Sequence, residues 1–202
     1  MLQAATRQMR YRSPNTGASC MIPAPSPRLT FRTWTENDAW LAEALWCHPE
    51  VTHFFGGAMT PQQARDRLAI ERENENRLGM QYWPIFLRET GEFAGCAGLR
   101  QWPTDPALIE AGVHIMRSSW GLRLGEEALR AVLAHGFDAL ALPTIVAGHG
   151  IGHDNSQKLL QRLGFTYTHN IKWGPQAIEV RIYAISAATW RSKTTRSETA
   201  QI

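Results

Sequence analysis

The chain has 202 residues, 44% of them hydrophobic, and a formal net charge of +3. That length suits one domain with tails, and that composition supports a core. The charge is too small and dispersed for a nucleic-acid binder, no apolar run is long enough to span a membrane, and three scattered cysteines (Cys20, Cys47, Cys96) argue against a disulfide framework or a zinc site. A reducing, cytoplasmic setting is the expectation.

Residues 1–27 hold Arg7, Arg10, Arg12, four prolines and no acidic residue, and show no hydrophobic period. They read as an extension that does not fold alone. A start at Met21 and an organelle transit peptide are the other two readings. Arg28–Trp34 alternates as a first strand, and Thr35-Glu36-Asn37-Asp38 supplies capping groups for a helix through Leu41, Ala42 and Leu45. Thr60-Pro61 opens a second helix that runs to near Gly79. Phe54 and Phe55, just before it, read as core packing or as a pocket wall. Two strands follow, Tyr82–Arg88 and Phe93–Leu99, with Gly95 and Gly98 marking a bulge or close packing in the second. A turn is expected at Pro103–Pro106.

The stretch from Glu110 to Phe137 carries the strongest signal. Ala111, Val113 and Ile115 alternate with Gly112, His114 and Met116, which predicts a strand. Leu124, Ala128, Leu129, Val132, Leu133 and Phe137 recur at helical steps and form one apolar stripe. A strand that turns through glycine into a helix leaves N–H groups unpaired at the positive end of the helix dipole, a place that suits a phosphate. Neither G-x-G-x-x-G nor the P-loop pattern is present. Beyond it, Thr144–Gly148 predicts a strand parallel to the one before Arg117. A polar loop, His149 to Ser156, feeds a helix over Gln157–Leu163 closed by Gly164. Phe165–Ile171 and Glu179–Ala184 read as a final antiparallel pair, and residues 187–202 as a polar, fraying tail. His149 and His153 stand four apart, but Gly150 and Gly152 argue against a helical metal pair, so no metal is expected. His114 reads as a packed histidine, with a role as a base the alternative.

The run W-G-L-R-L-G-E-E-A-L, after a strand carrying Glu110 and Gly112, resembles the cofactor turn of the GNAT superfamily of N-acetyltransferases, most closely the branch of the ribosomal-protein-alanine N-acetyltransferases. Gly112, Trp120, Gly121, Gly125, Glu127 and Ala128 match that pattern. Arg123 stands where the family has a glycine; it serves in its place if its φ is negative, and its guanidinium offers a direct pairing with a phosphate. The opening R-L-x-x-R-x-W-x-x-x-D, then P-E-V and Gly56-Gly57, fits the same branch, so the resemblance spans roughly residues 28–184. It implies one domain over residues 28–186, with a mixed, largely antiparallel α/β sheet flanked by helices and splayed between two central parallel strands. It also implies acetyl-CoA as co-substrate and a primary amine, a protein N-terminus or a small molecule, as acceptor. The implied cofactor contacts are Ile115, Met116, Trp120, Gly121, Leu122, Arg123, Leu124, Gly125, Glu126, His153 and Ser156. Glu110 matches the family's strand carboxylate, a general base acting through water, and a backbone N–H around Ile115 is the implied oxyanion donor. Ser156 matches the family serine that helps the thiol leave, and an ordinary helix cap is its other reading. His153 occupies the family's asparagine position, and Leu160 the position where many relatives carry a tyrosine acid. The implied partners are the coenzyme A thioester, the amine and, as one option, a second copy of the chain; neither nucleic acid nor membrane is among them. The competing reading is a non-catalytic acyl-CoA-binding module, motivated by Arg123 and His153.

Overall fold

The computed structural model describes residues 22–102, 105–174 and 177–199, the last five of these as backbone only. Among the described residues seven strands form one sheet in the order β1-β2-β3-β4-β5-β7-β6: β1 Leu29–Phe31, β2 Tyr82–Leu87, β3 Phe93–Trp102, β4 Asp105–Ile115, β5 Thr144–Gly150, β6 Thr166–Trp173 and β7 Ile178–Ser186. Every neighbouring pair is antiparallel except β4 and β5, which are parallel. Helices cover both faces. Helix α1 (Ala39–Trp46), the short α2 (Pro49–Thr52) and α3 (Pro61–Leu78) precede β2. Helix α4 (Leu124–Ala134) crosses from β4 to β5, α5 (Asp154–Leu163) follows β5, and α6 (Ala187–Thr199) follows β7.

Two of the three hydrophobic clusters among the described residues follow from this layering. On one face Leu124, Leu129, Val132, Leu133 and Phe137 pack with Trp83, Ile85, Leu99, Ala111, Ile145 and Tyr183. On the other, Leu41, Leu45, Trp46, Ala64 and Leu68 pack with Trp34, Tyr82 and Cys96. The alternation of a strand explains the division: Trp83 and Ile85 serve the first cluster and Tyr82 the second. Helix α3 starts in a capping box, in which Thr60 accepts from the Gln63 N–H and Gln63 accepts from the Thr60 N–H, and it stops at Gly79, whose φ is +64°.

The two glycines in β3 do what their place in a strand suggests. Gly95 sits at the bulge opposite Ile85 and Phe86 with φ +135°, and a Cβ there would lie 2.1 Å from the His114 carbonyl oxygen. At Gly98 a Cβ would lie 1.8 Å from the Gln81 carbonyl oxygen.

Several boundaries differ from the sequence reading. The expected turn at 103–106 falls partly outside the described residues, and Asp105 and Pro106 already belong to β4. Most of the N-terminal extension, residues 1–21, also lies outside them. Residues 22–27, read as part of that extension, are seated: Ile22 packs on the core, and the Ser26 hydroxyl donates to Glu127 at 2.7 Å. Residues 187–199 of the C-terminal stretch form a helix rather than frayed coil. Its anchor is Trp190, buried and stacked on Phe137 at 5.9 Å, a single large apolar residue in a polar run that gives no helical period to read. Among the described residues no helix is long and apolar enough to cross a membrane.

Candidate active site

β4 and β5 share one pairing, Glu110 with Val146, and then part. Met116 donates its N–H to Ala94 on β3 at 2.9 Å, and β3 pairs Gly95 with Ile115. Antiparallel strands turn successive residues to opposite edges, so Val113 and Ile115 direct their N–H groups to the edge that β5 has left. A cavity of about 280 Å³ occupies that notch, lined by Gly112, His114, Gly148, His149, Ser156 and others named below. Glycine keeps it open. A Cβ on Gly112 would lie 2.0 Å from the Tyr82 hydroxyl, and one on Gly150 would lie 2.7 Å from the Phe54 carbonyl oxygen.

After β4 the chain makes one 3₁₀ turn, Arg117–Ser119, and passes Trp120 and Gly121 into α4. Gly121 has φ +80°. Trp120 donates its indole N–H to the Ile115 carbonyl at 2.9 Å, which fixes the turn against the end of the strand. The first N–H groups of α4 have no partner within the helix and face the anion-favouring end of its dipole.

The local geometry bears on how four of the expected cofactor contacts could act. Arg123 has φ +58°, not the negative value that standing in for the glycine backbone called for; it caps α4 in the left-handed region, and its guanidinium meets Glu126 at 3.1 Å. The family's glycine suits that backbone without strain. Met116 cannot donate to a cofactor, because its N–H belongs to the sheet and its side chain packs beneath α1. Leu124 turns its side chain into the core, so only its backbone is available. The Glu126 carboxylate faces three guanidinium groups, those of Arg123, Arg130 and Arg162, at 2.9–3.1 Å. Gly125 is less crowded than the turn pattern suggests, since a Cβ would meet Ile115, Leu159 and Val113 at ordinary distances of 3.6–3.9 Å.

Arg123→Gly is therefore expected to stabilise the domain. A left-handed backbone at a non-glycine residue costs about 1–2 kcal/mol, partly offset by the freedom glycine adds to the unfolded chain. A gain of roughly 1–3 °C in Tm should follow. Thermal melts decide it; a lower Tm would show that the exposed contact with Glu126 outweighs the backbone term.

Helix α5 starts three residues before the expected boundary, with His153 as its cap. Ser156 is thus not the cap. It lies in the first turn, donates its N–H to the His153 carbonyl at 3.1 Å, and lines the cavity. Phe54 stacks on His153 at 4.1 Å and Phe55 on His114 at 4.3 Å, so both aromatics form its wall. His114 accepts the Trp46 indole N–H at Nδ1, at 3.0 Å. Burial, with Arg67 and Arg100 beside it, holds its pKa well below the usual histidine value, so the ring is neutral. His149 holds the Gly150 carbonyl through Nδ1 and the Tyr183 hydroxyl through Nε2, at 2.9 and 3.3 Å, so both ring nitrogens are engaged. Among the described residues no group of three or more His, Cys, Asp or Glu could hold a metal ion.

His153 is pushed down to about 4 by burial and by His149 and His53, against the opposing effect of Asp154. The lowered value fixes the sign of its effect on stability. Between the ordinary 6.5 and about 4, the unfolded chain takes up a proton that the folded chain refuses, so stability is full above this window and falls as pH drops through it. His153→Asn should flatten the fall of Tm between pH 7 and pH 5. An unchanged slope would show that His153 titrates normally in the fold.

The far end of the cavity holds Glu110, which is buried and bonded through Oε2 to Arg100 Nε at 2.6 Å. Arg100 stands directly across from it on β3. Neither Arg100 nor Arg67 nor Tyr82, all on this cavity, stands out in the sequence. The available signal was the pairing of β3 with β4, which puts Arg100 opposite Glu110 once the register is known.

Against this geometry, the comparisons with known proteins decide the family. A family model described as the acetyltransferase (GNAT) domain matches residues 28–166, about two thirds of the chain. The chain belongs to the GNAT acetyltransferase family. It is an acyltransferase with acetyl-CoA as its co-substrate. This GNAT chain is 30% identical over 142 residues to an uncharacterized N-acetyltransferase, p20, of Bacillus licheniformis, covering 68% of the chain and 79% of the relative. Its fold matches a GNAT-family acetyltransferase from Bacillus anthracis with a TM-score of 0.70 at 17% identity, over 83% of this chain and 99% of that one. It also matches RimL, a ribosomal L7/L12 alpha-N-protein acetyltransferase solved in complex with coenzyme A, with a TM-score of 0.68 at 16% identity, over 81% and 96% of the two chains.

Proposed function

We propose that this GNAT domain acetylates a small primary amine, and that the notch between β4 and β5 is where the acetyl group changes hands. The observation that carries this reading is the parting of the strands just beyond Glu110 and Val146, which opens a cavity with the Glu110 carboxylate on its wall, on the strand that leads into the phosphate-favouring turn. In the reaction the amine nitrogen attacks the thioester carbonyl, the carbon–sulfur bond breaks, and the amine gives up a proton. The N–H groups of Val113 and Ile115 face the notch and suit the charge that builds on the carbonyl oxygen. Glu110 accepts the amine's proton through water, using the oxygen that Arg100 leaves open. Ser156, which also lines the cavity, donates toward the departing sulfur. The unpaired N–H groups at the start of α4, with Gly121, cradle the pyrophosphate.

The cavity volume of about 280 Å³ favours a small acceptor. RimL acts on a protein N-terminus, so peptides belong in the test. Thiol release from acetyl-CoA, followed over small primary amines and short peptides with free N-termini, decides the matter. Amide formation matched to thiol on small amines supports the reading. Turnover on peptides alone transfers it to protein N-termini.

A further inference from the structure

The Glu110 end of the cavity carries more positive than negative capacity to bind. Two guanidinium groups flank one ring: the Arg100 carbon lies 5.2 Å from the centre of Tyr82, and the Arg67 carbon 5.4 Å from it. Four charged side chains meet here, Arg67, Arg100, Glu71 and Glu110, and they are not equally occupied. Glu71 is fully buried and spent within the fold, accepting from Arg67 Nε at 2.6 Å and from the Tyr82 N–H at 2.7 Å. Arg67 Nη2 is buried and has no hydrogen-bond partner among the described residues. Glu110 takes Arg100 through Nε alone, not as a two-pronged pair. The Tyr82 hydroxyl, over Gly112, enters no hydrogen bond among the described residues. His114 accepts at Nδ1, so its neutral ring carries its proton on Nε2.

We propose that the acceptor is an amine that also bears a carboxylate, an amino-acid-like molecule whose carboxylate is held by Arg67, Arg100 and the Tyr82 hydroxyl while its amine faces Glu110 and the notch. This rests on the reading of the cavity as the acceptor site. The chemistry of the lining selects the class. A planar carboxylate matches guanidinium groups that retain unfilled donors and a phenol that can donate. The free oxygen of Glu110 suits the ammonium group of the same molecule. A polyamine would bring a second cation against Arg67 and Arg100. A neutral amine would leave the buried Arg67 nitrogen unpaired, which is costly in a dry site. The side chain of the acceptor would lie against Phe54, Phe55, Trp102 and Trp173, all on the same cavity. That wall favours an aromatic or large aliphatic body.

Matched pairs test this. With acetyl-CoA saturating, kcat/KM is compared for phenylalanine, phenylalaninamide and phenethylamine. The amide has the less basic amine, so chemistry alone favours it, and a preference for the acid must come from recognition. The acid should lead by roughly 10–100-fold, the usual effect of losing a charge-assisted contact. Binding of N-acetylphenylalanine and of its amide to the protein–coenzyme A complex, read by calorimetry, gives the same comparison without turnover. Arg67→Gln should shrink the acid-over-amide ratio in both assays. Because it strands Glu71, Tyr82→Phe is run beside it; it removes only the hydroxyl and should reduce the ratio while the Tm holds. Equal use and equal binding of acid and amide overturn the proposal, as does a ratio unchanged in both variants. Turnover on all three amines without preference sinks this inference and leaves acetyl transfer standing. Preferential binding of the acid with no turnover on any of the three amines overturns the proposal that such a molecule is the acceptor.

Discussion

Glu110→Gln is expected to lower kcat by about 10²–10⁴-fold, the range associated with losing a general base. The substitution keeps the size of the side chain and can keep a contact with Arg100, but it removes the group that takes the amine's proton in the proposed mechanism. Acetyl-CoA affinity should barely move, since the turn and the start of α4 lie elsewhere. The loss should lessen at high pH, where more of the amine is already neutral. Glu110 is buried against Arg100, so the variant also leaves a guanidinium short of its counter-charge, and Tm must be followed beside kcat. Nearly full turnover at neutral pH in a folded variant would place the base elsewhere. His149 and His114 are poor substitutes, the first because both its nitrogens are engaged and the second because its accepting nitrogen is taken by the Trp46 indole N–H and burial lowers its affinity for a proton.

Gly112→Val is expected to reduce kcat/KM by about 10²-fold or more, the scale reported for a displacement near 1 Å at a reacting centre. Gly112 lies two residues past the last pairing of β4 with β5, where the strands begin to part. A Cβ at this position would lie 2.0 Å from the Tyr82 hydroxyl and 2.6 Å from its ring carbon, and the branched methyl groups would enter the notch. Tyr82 cannot yield easily. Its ring is buried between α3 and the sheet, and its N–H is held by Glu71. Overpacking of this kind costs about 1–3 kcal/mol of stability as well. Gly112→Ala should fall between the parent and the valine variant in both readouts. Parent-like kcat/KM in a folded Gly112→Val protein would show that the notch is not where chemistry occurs.

What could be read from the sequence was local. The stripe through Leu124, Leu129, Val132 and Leu133 and the alternation through Ala111, Val113 and Ile115 each lie within one element, and both elements stand where that reading put them. The turn between them was legible because Trp120, Gly121 and Gly125 keep a recognisable spacing. The backbone of Arg123 was not, because a positive φ at a non-glycine residue is imposed by the turn and not by the residue itself. The wall of the site was visible only as a choice, since Phe54 and Phe55 look the same in a core and in a pocket. The deep end of the cavity was hidden for a different reason. Arg67, Tyr82 and Arg100 come from α3, β2 and β3, and only the folded sheet brings them to Glu110. Helix α6 was missed because one buried tryptophan makes no period. The seating of residues 22–27 was missed because it depends on a distant carboxylate, Glu127.

The most direct test of this account is an experimental structure of the protein with coenzyme A bound. The pyrophosphate should lie on the N–H groups after Gly121, at the start of α4. The pantetheine arm should run between β4 and β5, and the sulfur should end beside Ser156, within reach of the N–H groups of Val113 and Ile115 and facing the cavity that holds Glu110. Coenzyme A bound elsewhere, or bound at the turn with its sulfur outside the notch, would contradict it.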